Sequence, residues 1–244
     1  MKRELRKQIK QDELVSGFEH GLAWVKAHWP EVRITITVLA VVGAAAGALA
    51  YFQSHRTREA EQAFAEAYEI FHTPVAKDLP AGGERPTGPT FGSKEEKFKR
   101  AAAAFDGVER RFATLPVAAR ARYYGALCRM ELGKLDEAEK ALNEAVAGKH
   151  DLEAALARLA LADLYYRRGD VGKAVDAYRQ FVSDVSVPFP RDYALMRLGS
   201  VLEEARKLAE AAASYRRLTE EFPTSAYAQE ARRRVEYLQT VVKG

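Results

Sequence analysis

From Ile34 to Phe52 the chain runs for nineteen residues without a charge, ITITVLAVVGAAAGALAYF. As a helix rising ~1.5 Å per residue this stretch is about 28 Å long, close to the ~30 Å hydrocarbon core of a bilayer. Eight of the nineteen are Ile, Val, Leu or Phe. Each favours insertion by roughly 0.3–0.6 kcal/mol at a helix centre, and no Asp, Lys or Arg opposes them. Three readings compete: a membrane span, a secretion signal cleaved after Ala48-Leu49-Ala50, and a helix buried in a soluble core. The 33 residues that precede the stretch carry five acids, unlike the short basic start of a signal. No segment of similar character occurs elsewhere to enclose a core helix. The sequence therefore favours an uncleaved anchor over the other two.

The flanks give the anchor a direction. Lys2, Arg3, Arg6, Lys7, Lys10, Lys26 and Arg33 precede the span, against Arg56 and Arg58 just after it, which places the N-terminus in the cytoplasm. In a bacterium this predicts a single-pass protein of the inner membrane with a periplasmic C-terminal part. Upstream, QDELVSGFEHGLAWVKAHW (11–29) sets Leu14, Phe18, Leu22 and Val25 on one helical face, with Trp24 and Trp29 at the polar boundary and Pro30 as an interruption. That pattern fits a helix lying in the membrane interface or, alternatively, an amphipathic helix packed on protein. Within the span Gly43 and Gly47 form G-x-x-x-G, with Ala40, Ala44 and Ala48 as a neighbouring small row. Such a stripe either packs a partner helix or simply tolerates small residues.

Beyond the span a helical pattern continues from Arg56 to His72, with Ala60, Phe64, Ala67 and Phe71 on one side. Between Thr73 and Ser93 Pro74, Pro80, Pro86 and Pro89 predict a long exposed loop. The organising feature comes after it. The segments LGKLDEAEKAL, RGDVGKAVDAY and ARKLAEAAASY align without a gap, placing Ala138, Ala174 and Ala211 at steps of 36 and 37. A bulky residue follows four positions on (Leu142, Tyr178, Tyr215), and Gly133, Gly169 and Arg206 lie five positions back. A period in the mid-thirties marks stacked helix pairs. Small residues let two helices cross closely, and the bulky one fills the groove beside the crossing. Gly133 and Gly169 suit a left-handed helix end, whereas Arg206 predicts a third turn of different shape.

These residues resemble the tetratricopeptide repeat, whose small and bulky positions are also met by Leu198-Gly199 and Pro223. The resemblance covers about residues 94–240, with Lys94–Phe112 as the second helix of a degenerate first unit. FATLPVAARAR (112–122) and FPTSAYAQEAR (222–232) align as well, so the last helix caps the stack. The expected fold is thus all-α: a cytoplasmic N-terminus with the interfacial helix (1–33), a transmembrane helix (34–54), a juxtamembrane helix (55–72), a Pro/Gly-rich loop (73–93) and a tetratricopeptide-repeat-like solenoid with a C-terminal cap (94–244). The whole layout, with its juxtamembrane segment, resembles the YfgM-like family of bacterial inner-membrane proteins, ancillary subunits of the SecYEG translocon. That resemblance implies association with the translocon, with periplasmic chaperones and with exported chains.

Composition excludes other classes. Through residue 55 there are seven Lys/Arg against five Asp/Glu, and 31 against 29 beyond, so neither part is a polycation suited to nucleic acid. The single Cys128 and five scattered histidines offer no metal set. No phosphate loop or nucleophile–base pair occurs, so no catalysis and no cofactor are expected. Cys128, beside Leu127 and Met130, reads as a small buried hydrophobe. What remains is binding. The repeat resemblance places the concave face on the first helix of each unit. It nominates Arg120, Tyr123, Leu127, Met130 and Glu131, then Leu156, Leu159, Asp163, Tyr166 and Arg167, then Tyr193, Met196, Ser200, Glu203 and Glu204. Several of these, Leu156 and Leu159 above all, read equally well as core. The functional expectation is a membrane-anchored interaction module without enzymatic activity. The alternative is a self-assembling scaffold of a cell-envelope complex, a homo-oligomer for division or outer-membrane assembly.

Overall fold

A computed structural model describes residues 24–78, 88–147, 152–184 and 190–243. The chain divides into two units, Met1–Arg58 and Glu59–Gly244, and the division falls inside the first long helix, α1 (Trp29–His72). Most of the amphipathic segment expected over residues 11–29 lies outside the described residues. From Trp24 the chain is helical, turns at His28, and starts α1 at Trp29. Pro30 thus sits in the first turn, where its missing N–H leaves no bond unmade. The Trp24 and His28 rings stack at 4.8 Å. The apolar stretch belongs to α1, whose most apolar window has a mean hydropathy of 2.0 with no residue buried. Ile34, Leu39 and Leu49 are all more than half exposed, and by length and composition the helix is long and apolar enough to cross a membrane.

In the second unit the helices follow in order: the Glu59–His72 part of α1, then α2 (Lys94–Arg111), α3 (Val117–Glu131), α4 (Leu135–Val146), α5 (Leu152–Arg168), α6 (Val171–Ser183), α7 (Arg191–Glu204), α8 (Leu208–Glu221) and α9 (Ala228–Lys243). From α2 onward each packs on its neighbours in sequence, and α3 also touches α5. These are helix pairs stacked side by side, α3/α4, α5/α6 and α7/α8, with α9 closing the end. No strand occurs among the described residues.

The small-then-bulky rule is met at each crossing. Ala138, Ala174 and Ala211 are fully buried, as are Leu142, Tyr178 and Tyr215. Gly199 shows how close the approach is, because a Cβ there would collide with the Tyr215 ring. The turns inside the pairs are alike. Gly133 and Gly169 have φ of 74° and 86°, and Arg206 has φ 60°. In all three turns the next N–H reaches five residues back, Lys134 to Arg129, Asp170 to Tyr165 and Lys207 to Leu202, each at 2.9 Å. The third turn therefore repeats the first two, against the expectation drawn from Arg206. The arginine takes a left-handed conformation that costs an L-residue roughly 1–2 kcal/mol.

The first pair is built differently from the rest. Ala60, Phe64 and Ala67 of α1 are buried with Phe98, Ala101, Phe105 and Val108 of α2, so the helix expected to lie beside the membrane is the first member of the first pair. Ser93 starts α2 as a side-chain cap, accepting a hydrogen bond from the Glu96 N–H at 3.1 Å, a contribution of about 1 kcal/mol. The connection between α1 and α2 is ordered at its described ends: Val75 and Phe91 are buried and pair through Ala76 N–H to Phe91 O and Phe91 N–H to Pro74 O. Only part of 73–93 can therefore be the exposed loop the prolines suggest.

Candidate protein-binding groove

The first helices of successive pairs, α3, α5 and α7, carry residues three or four apart to one side, and between them lies a groove of about 380 Å³. Tyr123, Leu127 and Met130 come from α3; Leu156, Leu159, Ala160, Asp163 and Arg167 from α5; Pro190, Tyr193 and Arg197 from the start of α7. Its size lies at the lower end of the ~300–1,000 Å³ of common ligand sites. Met130 and Leu159 are almost wholly buried and form its floor, while Tyr123, Leu127, Leu156 and Tyr193 are half-buried on its walls.

The charged lining is internally paired. Asp163 accepts from the Tyr178 hydroxyl, from the Tyr193 hydroxyl at 3.3 Å and from Arg197 Nε at 3.1 Å. Arg167 donates to Glu131 at 2.6 Å. The pattern extends along the stack, because Arg120 pairs with Glu61, Tyr166 donates to both carboxylate oxygens of Glu204 at 2.7 and 2.9 Å, and Tyr215 donates to Glu203 at 3.0 Å. Each bond joins neighbouring first helices or the two helices of a pair. Exposed pairs of this kind contribute little stability, ~0–1 kcal/mol, but they fix the register of one repeat on the next.

The phenols stay protonated. Burial pushes Tyr193 up to about 12, reinforced by the Asp163 charge, and burial likewise raises Tyr123 and Tyr178 well above the ordinary value. Tyr166 is raised chiefly by its bond to Glu204. At neutral pH all are donors, and Tyr166, Tyr178 and Tyr193 donate to acceptors among the described residues. Cys128, behind the groove wall, is fully buried, and burial pushes its thiol up to about 12, so it is not a nucleophile. Among the described residues no group of three His, Cys, Asp or Glu is placed to hold a metal.

The residues nominated from the sequence divide. Tyr123, Leu127, Met130, Asp163, Arg167 and Tyr193, with Leu156 and Leu159, share the groove. Ser200 and Glu203 line a second depression of about 290 Å³ with Glu204, Arg206, Leu208, Arg234, Tyr237, Leu238 and Val241. Arg120 turns away from both, its guanidinium 4.8 Å from the Phe64 ring centre. Tyr166 is engaged with Glu204, and Met196 packs against the core of the last repeats. Sequence reasoning missed Ala160 and Arg197, which occupy the same place in the repeat, three residues before Asp163 and Ser200. A register carried one helical turn further would have included them. Pro190, at the edge of α7, had no such signal. In the first unit a Cβ added at Gly43 or Gly47 would meet nothing within 4 Å, so that stripe lies open.

Comparison with known proteins matches this architecture. A family model described as a tetratricopeptide repeat-like domain matches residues 24–236. No curated protein matches the chain. Among solved structures, a tetratricopeptide repeat protein from Parabacteroides merdae superposes with a TM-score of 0.52 at 15% identity, over 75% of this chain and 61% of that one. The chain thus spans about three fifths of that relative's length. Nearly identical TPR-like repeats of a putative kinesin light chain from Podosopora anserina align with a TM-score of 0.46 at 16% identity, over 61% of this chain and 90% of the other. The Rap conjugation gene regulator of plasmid pLS20, solved with its Phr* peptide, gives 0.43 at 16% identity, over 61% and 50%. Matched by its family model from Trp24 to Glu236, before the apolar helix and through the last repeat, the chain belongs to the tetratricopeptide repeat-like domain family.

Proposed function

We propose that this chain is a membrane-anchored protein-interaction module that stands beside the protein-export channel and engages emerging chains or the chaperones that receive them. The observation that carries the reading is the groove on α3, α5 and α7, lined by leucine, methionine, tyrosine and charged side chains, on a chain that also has an exposed helix long and apolar enough to cross a bilayer. Repeat domains of this family bind proteins or peptides and are generally scaffolds without catalysis. Tethering raises the local concentration of a modest groove near its target, so weak contacts become effective. The positive flank before the span supports a cytoplasmic N-terminus and a periplasmic repeat domain in a bacterial inner membrane. The juxtamembrane likeness to the YfgM-like family supports SecYEG as the neighbour. Affinity purification from membranes tests this: translocon subunits and periplasmic chaperones should co-purify. Recovery of envelope-division or outer-membrane assembly components instead would favour the scaffold reading, for which the open Gly43/Gly47 stripe is the supporting feature. Changing both glycines to Ile should then dissociate a homo-oligomer.

A further inference from the structure

The turns at Gly133 and Gly169 show that each repeat pair needs a left-handed residue after its first helix, and glycine meets that need without strain. At Arg206 the same backbone, φ 60°, is imposed on a residue that opposes it. Strain of this kind points to function when the side chain it carries is wanted in that place. Nothing inside the protein uses this one. Arg206 is exposed, and none of its side-chain N–H groups meets an acceptor among the described residues. Arg167, Arg197 and Arg234, by contrast, are each bonded to a carboxylate.

The Arg206 side chain lines the depression between α7 and α9 at the end of the stack. Both acids of that lining are engaged: Glu203 accepts from the Tyr215 hydroxyl at 3.0 Å and from Arg234 at 3.4 Å, and Glu204 accepts from the Tyr166 hydroxyl. Arg206 is left as the guanidinium of the depression without a carboxylate, and its planar fork of N–H groups matches one in two parallel bonds. In the same lining Tyr237 and Val241 are 56% and 45% exposed, apolar surface at the end of α9 that the stack leaves uncovered. We infer that this depression is a second docking site, separate from the groove, for a polypeptide segment in which an Asp or Glu lies next to an apolar residue. The carboxylate binds Arg206 and the apolar side chain covers Tyr237 and Val241. A free anion would answer the guanidinium but leave that surface bare, whereas such a segment answers both.

The test pans a displayed library of random short peptides on the full chain in lipid nanodiscs, against empty nanodiscs, and measures the recovered peptides by fluorescence anisotropy on the parent and on Arg206→Gly, Arg206→Lys and Leu127→Glu. A class of peptides should bind Arg206→Gly at least about tenfold more weakly than the parent, and that class should be enriched in Asp or Glu beside Leu, Phe or Tyr. The thermal midpoint of Arg206→Gly should be no lower than the parent's, since glycine relieves the turn. Arg206→Lys, which keeps the charge but not the fork, should fall between the two, and Leu127→Glu, in the groove, should bind this class as the parent does. Equal binding of every peptide to Arg206→Gly, or a sensitive class without enriched acids, overturns the inference. So does a lower midpoint for Arg206→Gly, which would mean that the guanidinium has a partner inside the protein. Binding lost with Leu127→Glu and kept with Arg206→Gly moves the peptides to the groove, overturning this inference and leaving the proposed function standing. Recovery of no peptide overturns both.

Discussion

Arg206 stands where the other two turns have glycine and takes their left-handed backbone at φ 60°. The repeat geometry therefore overrides a local preference, and Arg206→Gly should raise stability by about 0.5–1 kcal/mol, measured by thermal unfolding of the full chain in detergent. Gly133→Ala should lower it by about 1 kcal/mol by the same physics. Gly199 is constrained by space instead. The Tyr215 ring occupies the position of its absent Cβ, so Gly199→Ala should cost about 1–3 kcal/mol. By contrast, Gly172→Ala, where a Cβ meets nothing, should be neutral or stabilising in the same assay. Glu139 couples stability to pH. The Glu139 carboxyl is held below its ordinary value, chiefly by its hydrogen bond from Arg168 at 2.5 Å, with Tyr165 adding a second. A depressed carboxylate stabilises the fold above its ordinary pKa, and that contribution is lost as pH falls through the folded value. Glu139→Gln should thus be less stable than the parent at neutral pH, and the gap should close between about pH 5 and about pH 3. A gap that widens on acidification would contradict the assignment.

At the scale of elements, the repeat pairs were legible because their signal is local. Ala138, Ala174 and Ala211, each followed four residues on by a bulky side chain, encode a helix crossing within a dozen residues. The first pair was not legible as a pair. The spacing of Ala60, Phe64 and Ala67 shows an apolar face, but nothing local says that this face packs on α2 across the intervening prolines. The structure shows an aromatic cluster holding them together, with the Phe64 ring 5.7 Å from those of both Phe105 and Tyr124, and Phe71 at 5.9 Å from Phe98. Phe64→Ala should therefore destabilise the repeat domain by about 3–5 kcal/mol, as an internal repeat residue does. A cost below about 1 kcal/mol in urea unfolding would mean that this part of α1 is an appendage. The groove was half legible for a related reason. Repeat register located its walls, yet it could not reveal that Arg120 pairs with Glu61 of α1, or that Asp163, Arg167 and Glu203 are committed to bonds across 31 to 36 residues of sequence. Long-range ion pairs leave no periodic trace.

For the whole molecule, the sequence states its two properties in different alphabets. The apolar helix is written as an absence of charge over nineteen residues and the repeat domain as a small-to-bulky rhythm, and each is recognisable because its pattern recurs at every position. The partner has no such imprint, since the charged groups of the groove are bonded to other side chains of the protein and follow no repeat pattern that names a ligand. The account therefore rests on contact at the groove in the native membrane. A photo-crosslinking amino acid placed at Tyr123, and separately at the exposed Lys140 on α4, would be activated in intact cells and the adducts identified. Adducts from position 123 with translocon subunits, chaperones or exported chains, absent from position 140 and lost with Leu127→Glu, are the predicted result. Equal adducts from both positions, or none from 123, would contradict it.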